Sequence, residues 1–492
     1  MCLIIFESNT IFSIIGADSI LISLHTGDIK PAPLKSANSK PFVFILVSFA
    51  IVFALSFLGH HFTVLGLQLK NINIISDLMP PQAEDSVYTP GPPVAINDSI
   101  LPLPDYRTSD EIIGYEQGGT LHAFVRSLKE LAQGKRRKVR IAYLGDSMIE
   151  GDLMTQDVRT LLQDYFGGNG VGFVPITSVV AGFRQSVQHS FSDTWTDLHF
   201  LNSSVSKEGI FLSGHSFRPS SASYAYYSGV NRLHLRNFEE CYLLYGITDS
   251  TSTFRVNDST FQFESHNPFN KQLVQQNQET VHATFSGNDN QVYGFSFESQ
   301  SGIFVDNLAF RGISGIEIQK INSDVLSAIN NSHPYDLIIL QYGPNLLFKP
   351  DLTDFRWYEK PMKNAVMTLK KHFPYASILV IGSADKGARY EGEVMTQKGV
   401  LPLIDVQHKV AYETGTNFWN LYLAMGGINT MARWASMKPP LANVDYTHLT
   451  HKGSAVIARI LYDKLMQIYD PEAASRAQIQ PVVRYVAVSR GL

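Results

Sequence analysis

Val139-Arg140-Ile141-Ala142-Tyr143-Leu144-Gly145-Asp146-Ser147 is a mostly apolar run that ends abruptly in Gly-Asp-Ser. The run predicts a buried parallel strand, and Met154 to Phe166 carries Leu161, Leu162, Tyr165 and Phe166 at helical spacing. A serine at such a strand-to-helix corner lies on the carboxyl edge of the sheet, where open α/β folds bind ligands, with its N–H near the positive end of the helix. Gly145 permits the tight turn. The same tripeptide also makes an ordinary turn and helix cap, so a role for Ser147 as nucleophile depends on partners elsewhere.

Two distant stretches offer them. Tyr335-Asp336-Leu337-Ile338-Ile339-Leu340-Gln341-Tyr342-Gly343-Pro344-Asn345 is again an apolar strand ending in a glycine turn and an amide. Asp445-Tyr446-Thr447-His448 precedes a helical run from Gly453 to Tyr469. A Ser, an Asn and an Asp-x-x-His in that order at strand ends resemble the SGNH (GDSL-type) hydrolases, with Gly315 in Gly312-Ile313-Ser314-Gly315 at the family's glycine block. The resemblance covers residues 108–200 and 300–470. It implies Ser147 as nucleophile, His448 as base and Asp445 as the carboxylate that fixes the imidazole tautomer. The oxyanion hole is expected from the Ser147 and Gly315 N–H groups and the Asn345 amide. His451 competes with His448 but has no carboxylate three residues before it, and Gly312 competes with Gly315. Pro344 and Leu346 depart from the usual Gly-x-Asn-Asp, and Asp146 is expected to tie down the turn.

At 492 residues the chain predicts about two domains plus accessory segments. With 44% hydrophobic and 17% charged residues it is a folded protein, and its net charge of −4 gives no reason to expect nucleic acid as a partner. Lys135-Arg136-Arg137-Lys138 reads as a solvated loop. Cys2 and Cys241 are too far apart to predict a disulfide or a thiolate site, and no His, Asp or Glu spacing beyond the triad predicts a metal or cofactor.

In chain order, residues 1–40 are expected to be cytoplasmic and 41–59 to cross the membrane once, being uncharged, mostly apolar and long enough to span. Lysines precede that stretch, so the positive-inside rule places the rest in the periplasm or exterior, anchored to the cytoplasmic membrane; a cleaved signal peptide is the alternative. Residues 60–107 are a Pro-rich linker. Periodicity predicts helices over 108–133, Ile316 to Asn330 and Lys360 to His372, and strands over Asp336 to Leu340, Ser377 to Ile381 and Thr416 to Leu421: a three-layer, flavodoxin-like α/β fold with a parallel sheet, occupying 108–200 and 301–470. Gly167-Gly168-Asn169-Gly170-Val171-Gly172 reads as a flexible loop. From 201 to 300 the pattern changes to short alternating strands, which predict an inserted β-sandwich; residues 471–492 form a tail. Trp195, Tyr224, Tyr226, Tyr227 and Tyr293 could stack on sugars or fill the sandwich, and Tyr226 and Tyr227 cannot both face inward.

This layout resembles the peptidoglycan O-acetylesterases of the SGNH group. It implies a serine esterase that removes O-acetyl or other small acyl groups from an acylated envelope polysaccharide. Transfer of an acyl group onto a glycan by the same triad, and a non-catalytic glycan-binding protein, are the alternatives.

Overall fold

The computed structural model describes residues 104–472, apart from 203–208, 221, 250, 265–266 and 288–289. It also describes the paired strands Thr63–Val64 and Leu67–Gln68, which belong to a separate unit, Met1–Asn97. The expected span at 41–59 and the tail beyond 472 lie outside these residues. Among the described residues, no helix is long and apolar enough to cross a membrane.

The run at Val139 becomes the strand Lys138–Gly145, with parallel neighbours on both sides. Alternate residues serve opposite faces, as the two-residue period of a strand demands. Val139, Ile141 and Tyr143 enter one core with Phe124, Val158, Leu162, Ile457 and Leu461. Ala142 and Leu144 enter another with Leu326, Ile329, Met362, Leu369 and Leu403. Helices therefore cover both faces, which is why the strand reads as continuously apolar. The sheet runs in the order Gly302–Ala309, Lys138–Gly145, Leu337–Gln341, Ser377–Ile381, Asn417–Trp419, with Ile113–Gly114 as an antiparallel edge. Numbered along the chain, the five parallel strands stand 2-1-3-4-5, the flavodoxin-like order. Its direction reverses between Lys138–Gly145 and Leu337–Gln341, where such folds open a crevice.

Some boundaries differ from the periodicity. The opening helix is His122–Ala132, because Gly118 and Gly119 adopt φ of 94° and 107° and break the chain after the edge strand. The segment expected to be helical from Ile316 is a short 3₁₀ turn, Ile316–Lys320, followed by a separate helix, Ser323–Ser332. Asn322 caps that second helix by accepting from the Asp324 N–H.

The insertion is a sandwich of two sheets, one of six strands and one of five. Its core holds Phe217, Tyr227, Leu243, Phe254, Val281, Phe295 and Phe297. It starts well ahead of residue 201: Gly172–Pro175, Gln188–Phe191 and Thr196–His199 all pair into its sheets. The last two expose polar residues and are only four residues long, too short for alternation to register. The glycine run before them is a tight crossing, contrary to the flexible loop expected. Ile303 N–H donates to Gly167 O at 3.0 Å, and a side chain on Gly170 would run into the carbonyl of Phe297.

A buried carboxylate fastens the sandwich to the α/β sheet. Glu298 accepts from Lys138 at 2.7 Å, Arg140 at 2.6 Å and Lys271 at 2.6 Å. Burial opposes its charge, but these cations hold its pKa well below the ordinary carboxylate value.

Candidate active site

Ser147 lies two residues past the end of its strand, yet the helix does not begin there. A 3₁₀ turn, Glu150–Asp152, with Gly151 and Asp152 at φ of 72° and 68°, delays the helix to Thr155–Phe166. The helix terminus is therefore not adjacent to Ser147, contrary to the expected corner. Buried pairing fixes the loop instead: Asp152 accepts from Arg159 at 2.8 and 2.9 Å, and Asn307 donates to Ile149 O at 2.7 Å.

Asp146 closes the turn. Its Oδ1 accepts from the Met148 N–H at 3.0 Å and its Oδ2 from Asn345 Nδ2 at 3.2 Å, joining the ends of the two central strands. Burial pushes its pKa up to about 6, against the opposing pull of the Met148 and Gly343 N–H groups and the charges of His448 and Lys386.

His448 arrives on a tight loop closed by the bridge between Ala442 and Leu449, just ahead of the helix His451–Tyr469. Its Nε2 lies 2.9 Å from Ser147 Oγ and its Nδ1 lies 2.7 Å from Asp445 Oδ2. Asp445 also accepts from the N–H groups of Thr447 at 2.9 Å and His448 at 3.0 Å. Burial alone would raise the Asp445 pKa; the His448 and Thr447 hydrogen bonds outweigh it and hold the carboxyl below its usual value. With Nδ1–H donating to Asp445, Nε2 carries the lone pair that faces the serine hydroxyl, the tautomer a general base requires. His451 is elsewhere, its ring stacked on Phe183 at 4.5 Å.

Gly315 adopts φ of 93° with the Tyr342 ring beneath it, where a Cβ would lie 2.7 Å from two ring carbons. Gly312, at φ of 81°, has nothing within 4 Å of the same position. Asn345 is near the site, but its amide donates to Ile313 O at 2.9 Å as well as to Asp146. The side chain thus ties two loops together beside the site. Leu346, standing where the resemblance led to an acid being expected, is buried in the core, and Lys386 steadies this loop by donating to Pro344 O and Leu347 O at 2.9 Å each. Burial lowers the pKa of Lys386. Its position just past the strand Ser377–Ile381 was the available signal for it.

Tyr227 is corrected from a possible sugar platform to a core residue. It is fully buried, donates to Pro175 O at 2.9 Å and stacks on His189 at 4.7 Å. Tyr293 is likewise buried, while Tyr226 is half-buried on the opposite face, near His282. Among the described residues, no group of His, Cys, Asp and Glu side chains could hold a metal ion.

No protein-family profile matches the sequence, and no curated protein does. Solved structures do. One described as peptidoglycan O-acetylesterase in action matches at TM-score 0.61 and 22% identity, covering 73% of this chain and 99% of that one. A family two carbohydrate esterase from Cellvibrio japonicus matches at TM-score 0.25 and 10% identity, over 58% of this chain and 98% of that one. An acetyl xylan esterase matches at TM-score 0.25 and 17% identity, over 33% and 80%. The last two superpose too poorly to bear on the architecture. The first shows a shared fold: this chain has the SGNH hydrolase-like α/β fold with a β-sandwich built into it.

Proposed function

We propose that this protein is a serine esterase that removes O-acetyl or other small acyl groups from a cell-envelope polysaccharide such as peptidoglycan. The observation that carries this reading is the Ser147–His448–Asp445 relay, at 2.9 and 2.7 Å, on the carboxyl edge of the sheet at its switch point. Ser147 Oγ attacks the acyl carbonyl carbon while its proton passes to His448 Nε2. The charge that develops on the carbonyl oxygen falls to the Ser147 and Gly315 N–H groups. Collapse expels the sugar oxygen, which takes the proton from His448 and leaves an acyl-serine. Water then attacks that ester, His448 accepts its proton, and the acid departs with Ser147 restored.

The polysaccharide part rests on the sandwich docked beside the site and on the shared fold with the peptidoglycan O-acetylesterase structure. We further propose that 41–59 anchors the chain in the cytoplasmic membrane with the catalytic part outside; reporter fusions after residue 60 that stay active only in the cytoplasm overturn that placement. A fluorophosphonate label mapped by peptide sequencing, together with acetate release from O-acetylated peptidoglycan, tests the chemistry. Labelling of Ser147 and loss of release in Ser147→Ala are expected. Wild type as inert as Ser147→Ala toward both an aryl acetate and the polymer sinks it.

A further inference from the structure

The sandwich and the α/β module enclose a cavity of about 270 Å³. Glu150 and Gly151 line it from the loop that follows Ser147, and Phe310 and Arg311 from the loop that leads to Gly315. The facing wall belongs to the sandwich and includes Asp197, His199 and His215. Both loops carrying expected oxyanion donors therefore continue into this cavity, and neither module forms it alone.

Its lining has the chemistry of a sugar site. Asp197 Oδ1 lies 2.9 Å from His215 Nδ1, and both side chains keep partial exposure, 33% and 24%. The His215 ring stacks on the buried Phe310 at 4.6 Å, which fixes the imidazole beside the carboxylate. An imidazole and a carboxylate held in this way can bind the hydroxyls of a pyranose. Arg311 and Glu150, joined at 2.9 Å, add donors and acceptors at the rim. Ser213 in the lining is 97% buried (3% exposed) and its hydroxyl has no protein partner, a group whose burial is otherwise unexplained. A fatty acyl chain would leave these polar groups unpaired. The volume falls below the roughly 300–1,000 Å³ of pockets that take drug-sized ligands and suits about one sugar residue.

We propose that this cavity is a glycan subsite holding the sugar next to the acylated one, with Asp197 and His215 taking its hydroxyls. This rests on the esterase reading above, because it is the substrate's own chain that reaches the cavity. The subsite makes the polymer a better substrate than an isolated ester, since a neighbouring sugar supplies binding that a small ester lacks.

The test uses the full chain as wild type, Asp197→Ala and His199→Ala, two substitutions at partly exposed positions. Hydrolysis of 4-nitrophenyl acetate is measured beside KM for O-acetylated peptidoglycan, and calorimetry titrates de-O-acetylated peptidoglycan oligosaccharides into each protein. Asp197→Ala is expected to raise KM and oligosaccharide Kd by about fivefold or more, with aryl acetate turnover within about twofold of wild type. His199→Ala shifts them in the same direction and decides the matter if Asp197→Ala does not fold. Oligosaccharide Kd unchanged in the folded variants, or no binding by wild type, overturns the subsite. Absent hydrolysis of both esters by wild type overturns the esterase reading instead, and the titration still decides whether the cavity binds sugar.

Discussion

Replacing Gly315 by alanine tests the oxyanion hole with one carbon. The added Cβ would sit 2.7 Å from two carbons of the Tyr342 ring, and the residue holds φ of 93°, where an L side chain is strained. Tyr342 is 2% exposed and cannot swing into solvent, so the Gly315 backbone must move. The left-handed conformation alone costs about 1–2 kcal/mol. A donor displaced from the oxyanion forfeits about 3–4 kcal/mol in the transition state, or roughly 10²–10³ in rate. Gly315→Ala should therefore cut kcat for an aryl acetate by at least about a hundredfold with KM little changed, because the interaction forms only as charge develops. Gly312→Ala is the control: it carries a similar backbone penalty at φ of 81° but meets nothing within 4 Å. Its kcat should stay within about fivefold of wild type. Stopped assays on both variants, with melting temperatures to confirm folding, decide the matter. A Gly315→Ala enzyme as fast as Gly312→Ala would refute Gly315 as a donor.

Asp445→Asn should lower kcat by about 10⁴-fold, because the amide no longer holds His448 in the tautomer that faces Ser147; a variant within tenfold of wild type would remove Asp445 from the relay. Asp146→Asn addresses pH. The folded pKa of Asp146 is raised to about 6, so the unfolded chain gives up its proton first, and wild-type stability from this group falls as pH rises from about 4 to 6. The melting temperature of Asp146→Asn relative to wild type should accordingly climb across that window, by the equivalent of roughly 3 kcal/mol at most; a flat difference refutes the shift. Glu298→Gln leaves Arg140 and Lys271 without their buried counter-charge and Lys138 with Glu240 alone, and should destabilise by about 3–5 kcal/mol, read as a large fall in melting temperature.

The legible parts of this fold were those written in strong local patterns. Val139 to Leu144 announces a strand covered on both faces because both of its faces are buried, and Asp445 and His448 lie three residues apart, close enough for a single loop to join them. The parts that escaped depend on contacts between distant segments. Nothing near Gly170 indicates that a carbonyl from residue 297 presses on it, so a tight crossing looked like a loose one. Gln188–Phe191 finds its partner in Ser223–Ser228, and four residues carry too little alternation to declare a strand unaided. The hydrogen-bond acceptors of Asn345, Ile313 O and Asp146, come from other loops, and no spacing along the chain encodes them.

Where the sandwich enters the chain explains why it can take part in the site. In the 2-1-3-4-5 order, the strand Gly302–Ala309 is both the sheet edge and the immediate neighbour of Lys138–Gly145. A module inserted between these two strands leaves from the helix after Ser147 and returns into the edge strand, which runs parallel to the nucleophile strand and delivers Phe310 and Arg311 to the same carboxyl rim. Both ends of the insertion are thereby tied to that strand pair. Gly302 N–H donates to Arg137 O at 2.8 Å at one end, and Phe173 N–H donates to Asp306 Oδ1 at 2.8 Å at the other. Glu298, the last residue of its sandwich strand, is then clamped by Lys138 and Arg140 of the nucleophile strand itself. An insertion in any later connection would lack those tethers. The fixed position of Asp197 and His215 relative to Ser147 is thus a consequence of topology and one buried ion cluster, and it predicts that loosening the cluster with Glu298→Gln raises KM for the polymer before it affects turnover of an aryl acetate.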